Sequence, residues 1–254
     1  MPVDEALNTQ KRGPLTVHIF ESARQLGVDA FVTDRFAGIS STPYDSLNLG
    51  DHVGDRASDV EENRRRVAQA AGVGPEHLVI VRQIHGADIL DASRATAESE
   101  ADGLATDRAD LALAILVADC VPIVLVDSAS SHLVAAHAGW RGLAGGVIKS
   151  ALATFESPST VYAFIGPSIS REAYQVGPEV AVHFSDVEGA LSLDVDDRSR
   201  LDLRHVASHQ LLEGGVPDPS IVRSRQVTDG GEVFFSDRAQ RPCGRFALVA
   251  KRVS

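Results

Sequence analysis

Several classes of protein are excluded by what the sequence lacks. Only two cysteines, Cys120 and Cys243, occur in 254 residues, so a disulfide scaffold is excluded and a reducing compartment is favoured. The longest apolar run, residues 111–118, is far shorter than the roughly 20 residues of a transmembrane helix. Residues 1–13 are polar and contain no apolar signal core. We therefore expect a cytoplasmic protein that does not associate with a membrane.

Basic and aromatic residues are also scarce. The sequence has 24 Lys and Arg against 35 Asp and Glu, which gives a formal net charge of −11 at pH 7. This charge repels phosphate backbones at long range, so the composition argues against a nucleic-acid partner, although clustered arginines can still hold a small anion. Aromatic residues make up 5% of the chain, so we expect the core to rest on Ala, Val, Leu and Ile.

The apolar pattern predicts a protein of mixed α and β structure. Strands are expected at residues 15–20, 30–33, 77–84, 132–138, 161–165, 233–236 and 246–251. Helices are expected at residues 58–71, 147–155, 178–185 and 201–213. The first of these helices begins with Ser58 and Glu61 at the spacing of a capping box.

The order of these elements predicts one layered domain. Residues 111–126 are mostly apolar and have no helical or alternating period, which is typical of strands buried on both faces. Strands outnumber helices and do not alternate regularly with them, so we expect one or two sheets with helices outside. The domain is expected to span residues 15–254, after a flexible tail at residues 1–14.

Three reactive side chains stand where an apolar strand meets a turn. His85 precedes Gly86, Cys120 follows the run at residues 111–118, and His137 ends another predicted strand. The sequence has no G-x-G-x-x-G, no P-loop, no H-E-x-x-H and no paired C-x-x-C, so its chemistry must come from residues that are distant in sequence. Two imidazoles and one thiolate form a sound zinc set that leaves a position for water or substrate.

The spacing alone does not decide between a site and three structural residues. The candidates are 35 and 17 residues apart, and a cysteine in an apolar run is often an inert core residue. His132 is five residues from His137, so the two point to opposite faces of a strand and His132 is a poor co-ligand. His205 and His209 share a helical face that we interpret as exposed.

Two further segments supply polar groups for a pocket. Residues 139–142, Gly-Trp-Arg-Gly, lead into a helix, so Arg141 and free N–H groups can form an anion site, or the segment is a tight turn with Arg141 in an ion pair. Arg35 and Asn48 flank a long loop rich in Gly, Ser, Pro and Asn. Cys243 lies in a turn-like setting and is expected to be incidental.

The sequence resembles the laccase-domain or polyphenol-oxidase family, also called peptidoglycan editing factor. The stretches that carry the resemblance run in family order over nearly the whole chain: residues 33–40, 44–55, 62–67, 82–90, 101–106, 117–127, 135–142, 165–170, 174–180 and 234–238. The most specific of them contain Cys-Val-Pro at residues 120–122 and His-Ala-Gly-Trp-Arg-Gly at residues 137–142.

The resemblance implies a fold, an activity and a set of site residues. The implied fold is a single-domain α/β/β/α arrangement related to bacterial toxin deamidases, a cysteine hydrolase-like fold. The implied activity is purine nucleoside phosphorolysis of adenosine, inosine and methylthioadenosine, with adenosine deaminase side activity. The implied site gathers His85, Cys120 and His137 around zinc or copper as metal ligands and catalytic residues. Substrate-binding positions are carried over to Arg35, Asn48 and Arg141.

Two positions depart from the family pattern. Val227 stands where a cysteine often precedes threonine, and Ala239 stands where a second arginine commonly follows the Phe-Phe-Ser block. These departures concern the late part of the pocket and not the His-Cys-His set.

Other functions remain open at this level. Cys120 with His137 or His85 also fits a metal-free cysteine hydrolase that acts on cell-wall precursors. A non-catalytic nucleotide sensor uses the same pocket. A four-copper laccase is disfavoured, because the only methionine is Met1 and the sequence contains no His-x-His. Nucleoside and phosphate are the expected partners, and the expected state is a monomer or a weak homo-oligomer.

Overall fold

The structure is a computed structural model that describes residues 2–96 and 98–253. Its strands are β1 (Val3–Glu5), β2 (Asn8–Arg12), β3 (Leu15–Ile19), β4 (Val28–Thr33), β5 (Leu78–Val79), β6 (Ile89–Asp91), β7 (Gly103–Thr106), β8 (Ala112–Val117), β9 (Val121–Asp127), β10 (Leu133–Ala138), β11 (Val161–Ile165), β12 (Gln175–Val176), β13 (Leu191–Leu193), β14 (Ser199–Leu201), β15 (Ile221–Ser224) and β16 (Phe246–Arg252). Its α-helices are α1 (Glu21–Arg24), α2 (Ala57–Ala70), α3 (Trp140–Gly145), α4 (Val147–Leu152), α5 (Pro178–Ala181) and α6 (Leu203–Glu213).

Two large mixed sheets carry most of these strands. Sheet A has the order β1-β15-β11-β9-β10-β7-β6, and sheet B has the order β2-β3-β4-β16-β8-β5. In sheet A, β9 is antiparallel to both β10 and β11, whereas β11 is parallel to β15. A smaller sheet has the order β12-β14-β13. The mixed pairing agrees with the predicted lack of a regular βαβ repeat.

The two large sheets pack face to face between layers of helices. In β9, Val124 and Val126 belong to the core between the sheets, whereas Ile123 and Leu125 pack with α3, α4 and α6 on the outer face of sheet A. The residues of β8 are divided in the same way between the core and the face that α2 covers. Burial on both faces explains the mostly apolar stretch, and helices lie outside the two sheets, as the sequence predicts.

The N-terminal segment is more ordered than predicted. The tail expected at residues 1–14 contains β1, which pairs with β15, and β2, which pairs with β3. Both strands join a sheet through backbone hydrogen bonds, which exposed polar side chains do not prevent. The flexible-tail prediction is therefore wrong for these residues.

Some local predictions in the rest of the chain also need correction. Helix α2 starts at Ala57, with Arg56 as its N-cap, so Ser58 lies inside the helix and forms no capping box. Residues 233–236 form no strand, because their polar groups bond to loops: the carbonyl of Val233 accepts from the N–H of Arg35. The strand predicted at residues 77–84 is reduced to β5.

The helices are short. The longest, α2, has 14 residues, and no helix within residues 2–96 and 98–253 combines the length and apolar character needed to cross a membrane. Helix α6 ends at Glu213 with Gly214 as its C-cap, as the sequence predicts.

The chain crosses from sheet B to sheet A between β8 and β9, at residues 118–120. In sheet A, His137 of β10 lies opposite Pro122 of β9, and Ala136 lies opposite Gly103 of β7. The start of β9, the end of β10 and the start of β7 therefore meet at one end of sheet A. This end carries the candidate site.

Candidate active site

Three predicted side chains meet at this end of sheet A. The imidazole nitrogens of His85 and His137 and the Sγ of Cys120 lie within 4.8 Å of one another. The two imidazole rings contact edge to face, with centroids 4.8 Å apart and an angle of 84° between their planes. His137 is buried, Cys120 is half-buried and His85 is exposed, so the group is accessible from the His85 side.

The buried carboxylate of Asp102 fixes both histidines. Its Oδ1 accepts hydrogen bonds from Nδ1 of His137 at 2.8 Å and from the backbone N–H of His85 at 2.9 Å. Its Oδ2 accepts from the backbone N–H groups of Gly86 at 2.5 Å and Ile84 at 3.1 Å. These bonds hold His85 at a φ of 61°, which residues other than glycine rarely adopt. Because Nδ1 of His137 is engaged, its Nε2 is left for the cluster.

A second buried carboxylate, Asp119, fixes the turn that carries Cys120. One oxygen accepts from the hydroxyls of Thr228 at 2.6 Å and Ser236 at 2.7 Å, and the other accepts from the backbone N–H of Arg238 at 2.7 Å. Asp119 has a φ of 87°, again in the left-handed region. The late loop at residues 228–238 is thereby tied to the residue before Cys120.

Gly139 leaves the space in which the three side chains meet. A Cβ at this position would lie 2.9 Å from Sγ of Cys120 and 3.2 Å from Cδ2 of His85. Both distances are shorter than an ordinary van der Waals contact, so a larger residue would displace the cluster.

The cluster favours a thiolate next to a charged imidazole. Burial acts to raise the pKa of the Cys120 thiol, but the charge of His137 and hydrogen bonds from both histidines outweigh it and lower that pKa to about 6. Burial acts to lower the pKa of His137, but the charge of Cys120 and the hydrogen bond to Asp102 raise it to about 9. Burial opposes ionisation of Asp102, yet its hydrogen bonds from His137 and Gly86 lower the pKa of this carboxyl.

The donor set can hold a metal ion. It offers two imidazoles and one thiolate, the ligand types that zinc and copper bind well. The Asp102–His137 hydrogen bond is the carboxylate–histidine arrangement that orients a metal-binding imidazole. Within the part of the chain that the structure describes, this is the one group of three or more His, Cys, Asp and Glu residues gathered closely enough to bind an ion.

Two arginines and two aromatic rings lie beside the cluster. The guanidinium of Arg141 stacks 4.4 Å from the Trp140 ring, and that of Arg238 lies 5.1 Å from the Tyr174 ring. Burial and the charge of Cys120 raise the pKa of Tyr174 to about 12, against the opposing charges of Arg238 and Arg141. The ring of Tyr174 therefore lies under the guanidinium of Arg238.

The other two predicted pocket residues hold a loop. Arg35 donates from Nε to the carbonyl of Asp45 at 3.0 Å and from Nη1 to the carbonyl of Gly231 at 2.5 Å. Asn48 is buried; its amide group donates to the carbonyl of Gly50 and to the carboxylate of Asp55, and its Oδ1 accepts from the N–H of Gly50. Both side chains are thus hydrogen-bonded to loop residues and not to the His-Cys-His cluster. A role of Arg35 and Asn48 in substrate binding stays a prediction.

The other three histidines that the sequence analysis considered, His132, His205 and His209, lie outside the cluster. His132 bonds to Asp107 through Nδ1 and to Thr154 through Nε2, as expected for a residue outside the cluster. On α6, His205 bonds to the carbonyl of Glu188 and His209 pairs with Glu213. Cys243 is buried, and burial raises the pKa of its thiol.

The two departures from the family pattern leave the cluster untouched. Val227 forms an isolated bridge with Ser168, and the following Thr228 keeps its bond to Asp119. Ala239 is exposed, and its N–H donates to Ser236.

Sequence reasoning did not single out four residues of the site: Asp102, Asp119, Tyr174 and Arg238. Asp119 interrupts the longest apolar run, and Asp102 directly precedes a buried strand. A carboxylate next to an apolar strand can be recognised in the sequence as a candidate site residue, because a buried charge needs hydrogen-bond or charge partners. Its partners, however, cannot be identified from spacing.

Comparison with known proteins identifies the family of this chain. A family model described as "Multi-copper polyphenol oxidoreductase laccase" matches residues 29–252. The chain belongs to this family. A multi-copper mechanism requires several metal sites, whereas the described ranges contain the single cluster above.

Relatives in this family are named as purine nucleoside phosphorylases. YfiH of Escherichia coli (strain K12), so named, is 36% identical over 226 residues, which cover 87% of this chain and 92% of that protein. YlmD of Geobacillus stearothermophilus, also so named, is 36% identical over 257 residues, covering 89% of this chain and 91% of that protein. Both names support an enzymatic function.

Solved structures of the family share the fold. The crystal structure of YlmD from Geobacillus stearothermophilus matches with a TM-score of 0.89 and 32% identity, covering 98% of this chain and 100% of that chain. The structure of the Bacillus licheniformis hypothetical protein YfiH matches with a TM-score of 0.87 and 29% identity, covering 96% and 98%. The mixed α/β architecture is thus that of the family.

Alkylation of metal-free protein tests the state of Cys120. Because its pKa is lowered to about 6, its rate of reaction with iodoacetamide should rise with pH around pH 6 and reach a plateau near pH 7. Cys243 should stay unmodified in the folded protein, since it is buried. Mass spectrometry measures both sites, and added zinc should protect Cys120. A rate that still rises steeply between pH 8 and pH 9 contradicts the thiolate.

Proposed function

We propose that this protein is a purine nucleoside phosphorylase that acts on adenosine, inosine and methylthioadenosine. The observation that carries the proposal is the cluster of His85, Cys120 and His137 beside Arg141, in a chain whose relatives are named for this activity. These three residues are the proposed catalytic set and the proposed ligands of a zinc or copper ion. Such an ion would supply a Lewis acid, the chemistry that adenosine deamination at the same site requires.

The reaction sets three tasks for the chain. A phosphate oxygen attacks the anomeric carbon of ribose, while the bond from that carbon to the base nitrogen breaks and its electron pair leaves with the base. The site must hold phosphate and nucleoside in register, which we assign to Arg141 for the phosphate. It must also give the departing base a proton or a hydrogen bond, which we assign to His85 and His137. Asp102 keeps the imidazole of His137 in one orientation throughout.

Product analysis tests this function. Purified protein of measured metal content is given adenosine and phosphate, and chromatography follows adenine, inosine, hypoxanthine and ribose 1-phosphate. Phosphate-dependent release of free base is expected, and His137→Ala should reduce it by at least about 100-fold because the base-assisting imidazole is lost. His132→Ala, which removes a histidine outside the site, is the control. Inosine alone would indicate a deaminase, and no product in folded, metal-loaded protein would reject the nucleoside substrates.

One observation favours a second candidate function, a cysteine hydrolase. Cys120, His137 and Asp102 have the order of a nucleophile, its base and the carboxylate that orients the base. This arrangement supports acyl transfer from cell-wall precursors without a metal. The hydrolase should form an acyl thioester on Cys120 that denaturation traps, whereas an enzyme that requires stoichiometric metal should not.

The remaining expectations complete the proposal. We propose a cytoplasmic enzyme that works as a monomer or weak homo-oligomer on nucleoside and phosphate, with an α/β/β/α fold related to the toxin deamidases. The proposed catalytic domain includes β1 and β2, since both strands pair into its sheets.

A further inference from the structure

Two arginines near the cluster differ from most others in the chain because they form no ion pair with a carboxylate that the structure describes. Most arginines of this acidic chain pair with a carboxylate, as Arg35 does with Asp45. Within residues 2–96 and 98–253, those with no carboxylate in ion-pair distance are Arg141, Arg204, Arg225, Arg238 and Arg252. Two of these five adjoin the segments that carry the cluster: Arg141 lies in α3, directly after the strand that carries His137, and the backbone N–H of Arg238 donates to Asp119, the residue before Cys120.

Arg238 is held in place and still has free donors. Its backbone N–H is bonded to Asp119, and its Nη1 donates to the carbonyls of Gln175 at 3.1 Å and Ala173 at 3.5 Å. Its Nε and Nη2 donate to no group in the described part of the chain. A guanidinium fixed at one nitrogen and open along its other edge is suited to a two-point contact with an anion.

Arg141 and Tyr174 complete the arrangement. The guanidinium of Arg141 stacks on Trp140 and forms no hydrogen bond with any residue that the structure describes. The Tyr174 hydroxyl likewise has no hydrogen-bond partner in the described ranges, and its ring lies under Arg238. Two unpaired cations and one free hydroxyl therefore adjoin the segments that carry Cys120 and His137. In a chain with a net charge of −11, such a group is a local exception.

We propose that Arg238 and Tyr174, together with Arg141, form the phosphate subsite of the enzyme. The proposal rests on the proposed function, because phosphate is there the attacking substrate. The two guanidinium groups neutralise the phosphate dianion, and the hydroxyl donates to a third oxygen. During the reaction one phosphate oxygen forms the bond to the anomeric carbon, the base leaves with the electron pair of the broken bond, and the phosphate proton ends on the base. Arg35, which is engaged by Asp45 and Gly231, is not part of this subsite.

The single tryptophan gives a direct measurement of phosphate binding. Trp140 is the only tryptophan in the chain and touches Arg141, so its fluorescence should change when inorganic phosphate binds. Arg238→Gln should raise the Kd for phosphate about 10-fold or more, because one of two charge contacts is lost while the backbone bond to Asp119 remains. Tyr174→Phe should raise it by a smaller factor. The KM for adenosine should change by less than about 2-fold in both variants. Calorimetry provides a second measurement of the same Kd.

Arg241→Gln is the matched control. Arg241 lies on the same loop but is exposed and paired with Asp237. An equal Kd in the Arg238→Gln variant and the unchanged protein overturns the proposal, as does an equal rise in the Arg241→Gln variant. Phosphorolysis with an unchanged KM for phosphate in Arg238→Gln rejects the subsite but leaves the function standing. Arg238-dependent phosphate binding without ribose 1-phosphate supports the subsite and rejects the function.

Discussion

Replacing Asp102 with asparagine is expected to weaken zinc binding at the cluster by about 10- to 100-fold, the range for the loss of a carboxylate that orients a metal-binding histidine. Each oxygen of Asp102 accepts two N–H donors, His137 and His85 on one side and Gly86 and Ile84 on the other. Either orientation of an asparagine therefore places its NH₂ group against two donors. The imidazole of His137 and the turn at His85 both lose their support.

The chain offers a closely matched control for this substitution. On the surface, Asp107 accepts a hydrogen bond from Nδ1 of His132 at 2.8 Å, the same pair at the same distance but outside the site. Asp107→Asn should leave zinc affinity unchanged in a competition titration with a chelating dye. Asp102→Asn should also raise the pKa at which Cys120 is alkylated, because the charged form of His137 is less stable. Equal zinc affinities in the two variants would show that Asp102 does not orient the ligands.

The largest loss of stability is expected from Asp119→Asn, at about 3 kcal/mol of unfolding free energy. Asp119 accepts three hydrogen bonds, each expected to contribute about 1.5–3 kcal/mol to a buried charged acceptor. An asparagine that keeps the two hydroxyl donors of Thr228 and Ser236 turns its NH₂ towards the N–H of Arg238. For a chain of this size the melting temperature should fall by about 6–12 °C.

Two further variants separate this effect from a general loss of charge. Thr228→Val removes one of the three bonds and should cost about 1.5 kcal/mol, the lower end of that range. Asp110→Asn removes an exposed carboxylate paired with Arg108 and should leave the unfolding free energy nearly unchanged. Urea unfolding of metal-free protein measures all three, because bound metal would add its own stabilisation. A loss for Asp119→Asn no larger than that for Asp110→Asn would disprove the link between the late loop and the Cys120 turn.

Much of the fold could be predicted because its signals are local. The apolar run at residues 111–126 indicates strands buried on both faces, and β8 and β9 have that burial. The tail prediction failed because pairing of β1 and β2 depends on partner strands, one of them more than 200 residues away, and not on their own polar sequences. The strand predicted at residues 233–236 does not form for a related reason. The backbone of Val233 bonds to Arg35 and the side chain of Ser236 bonds to Asp119, and neither bonds to a neighbouring strand in the described part of the chain.

By itself, the sequence determined the class of protein and the candidates for the site. Charge, cysteine content and apolar runs excluded several classes, and the position of His85, Cys120 and His137 at strand ends made them candidates. Only the tertiary structure decided that the three meet, that Asp102 fixes both histidines and that Arg238 lies over Tyr174. The physical reason is distance along the chain: the bonds of Asp102 span 16 to 35 residues, and those of Asp119 span 109 to 119. Local patterns record which side chains are reactive, whereas long-range pairing of strands decides which of them share a site.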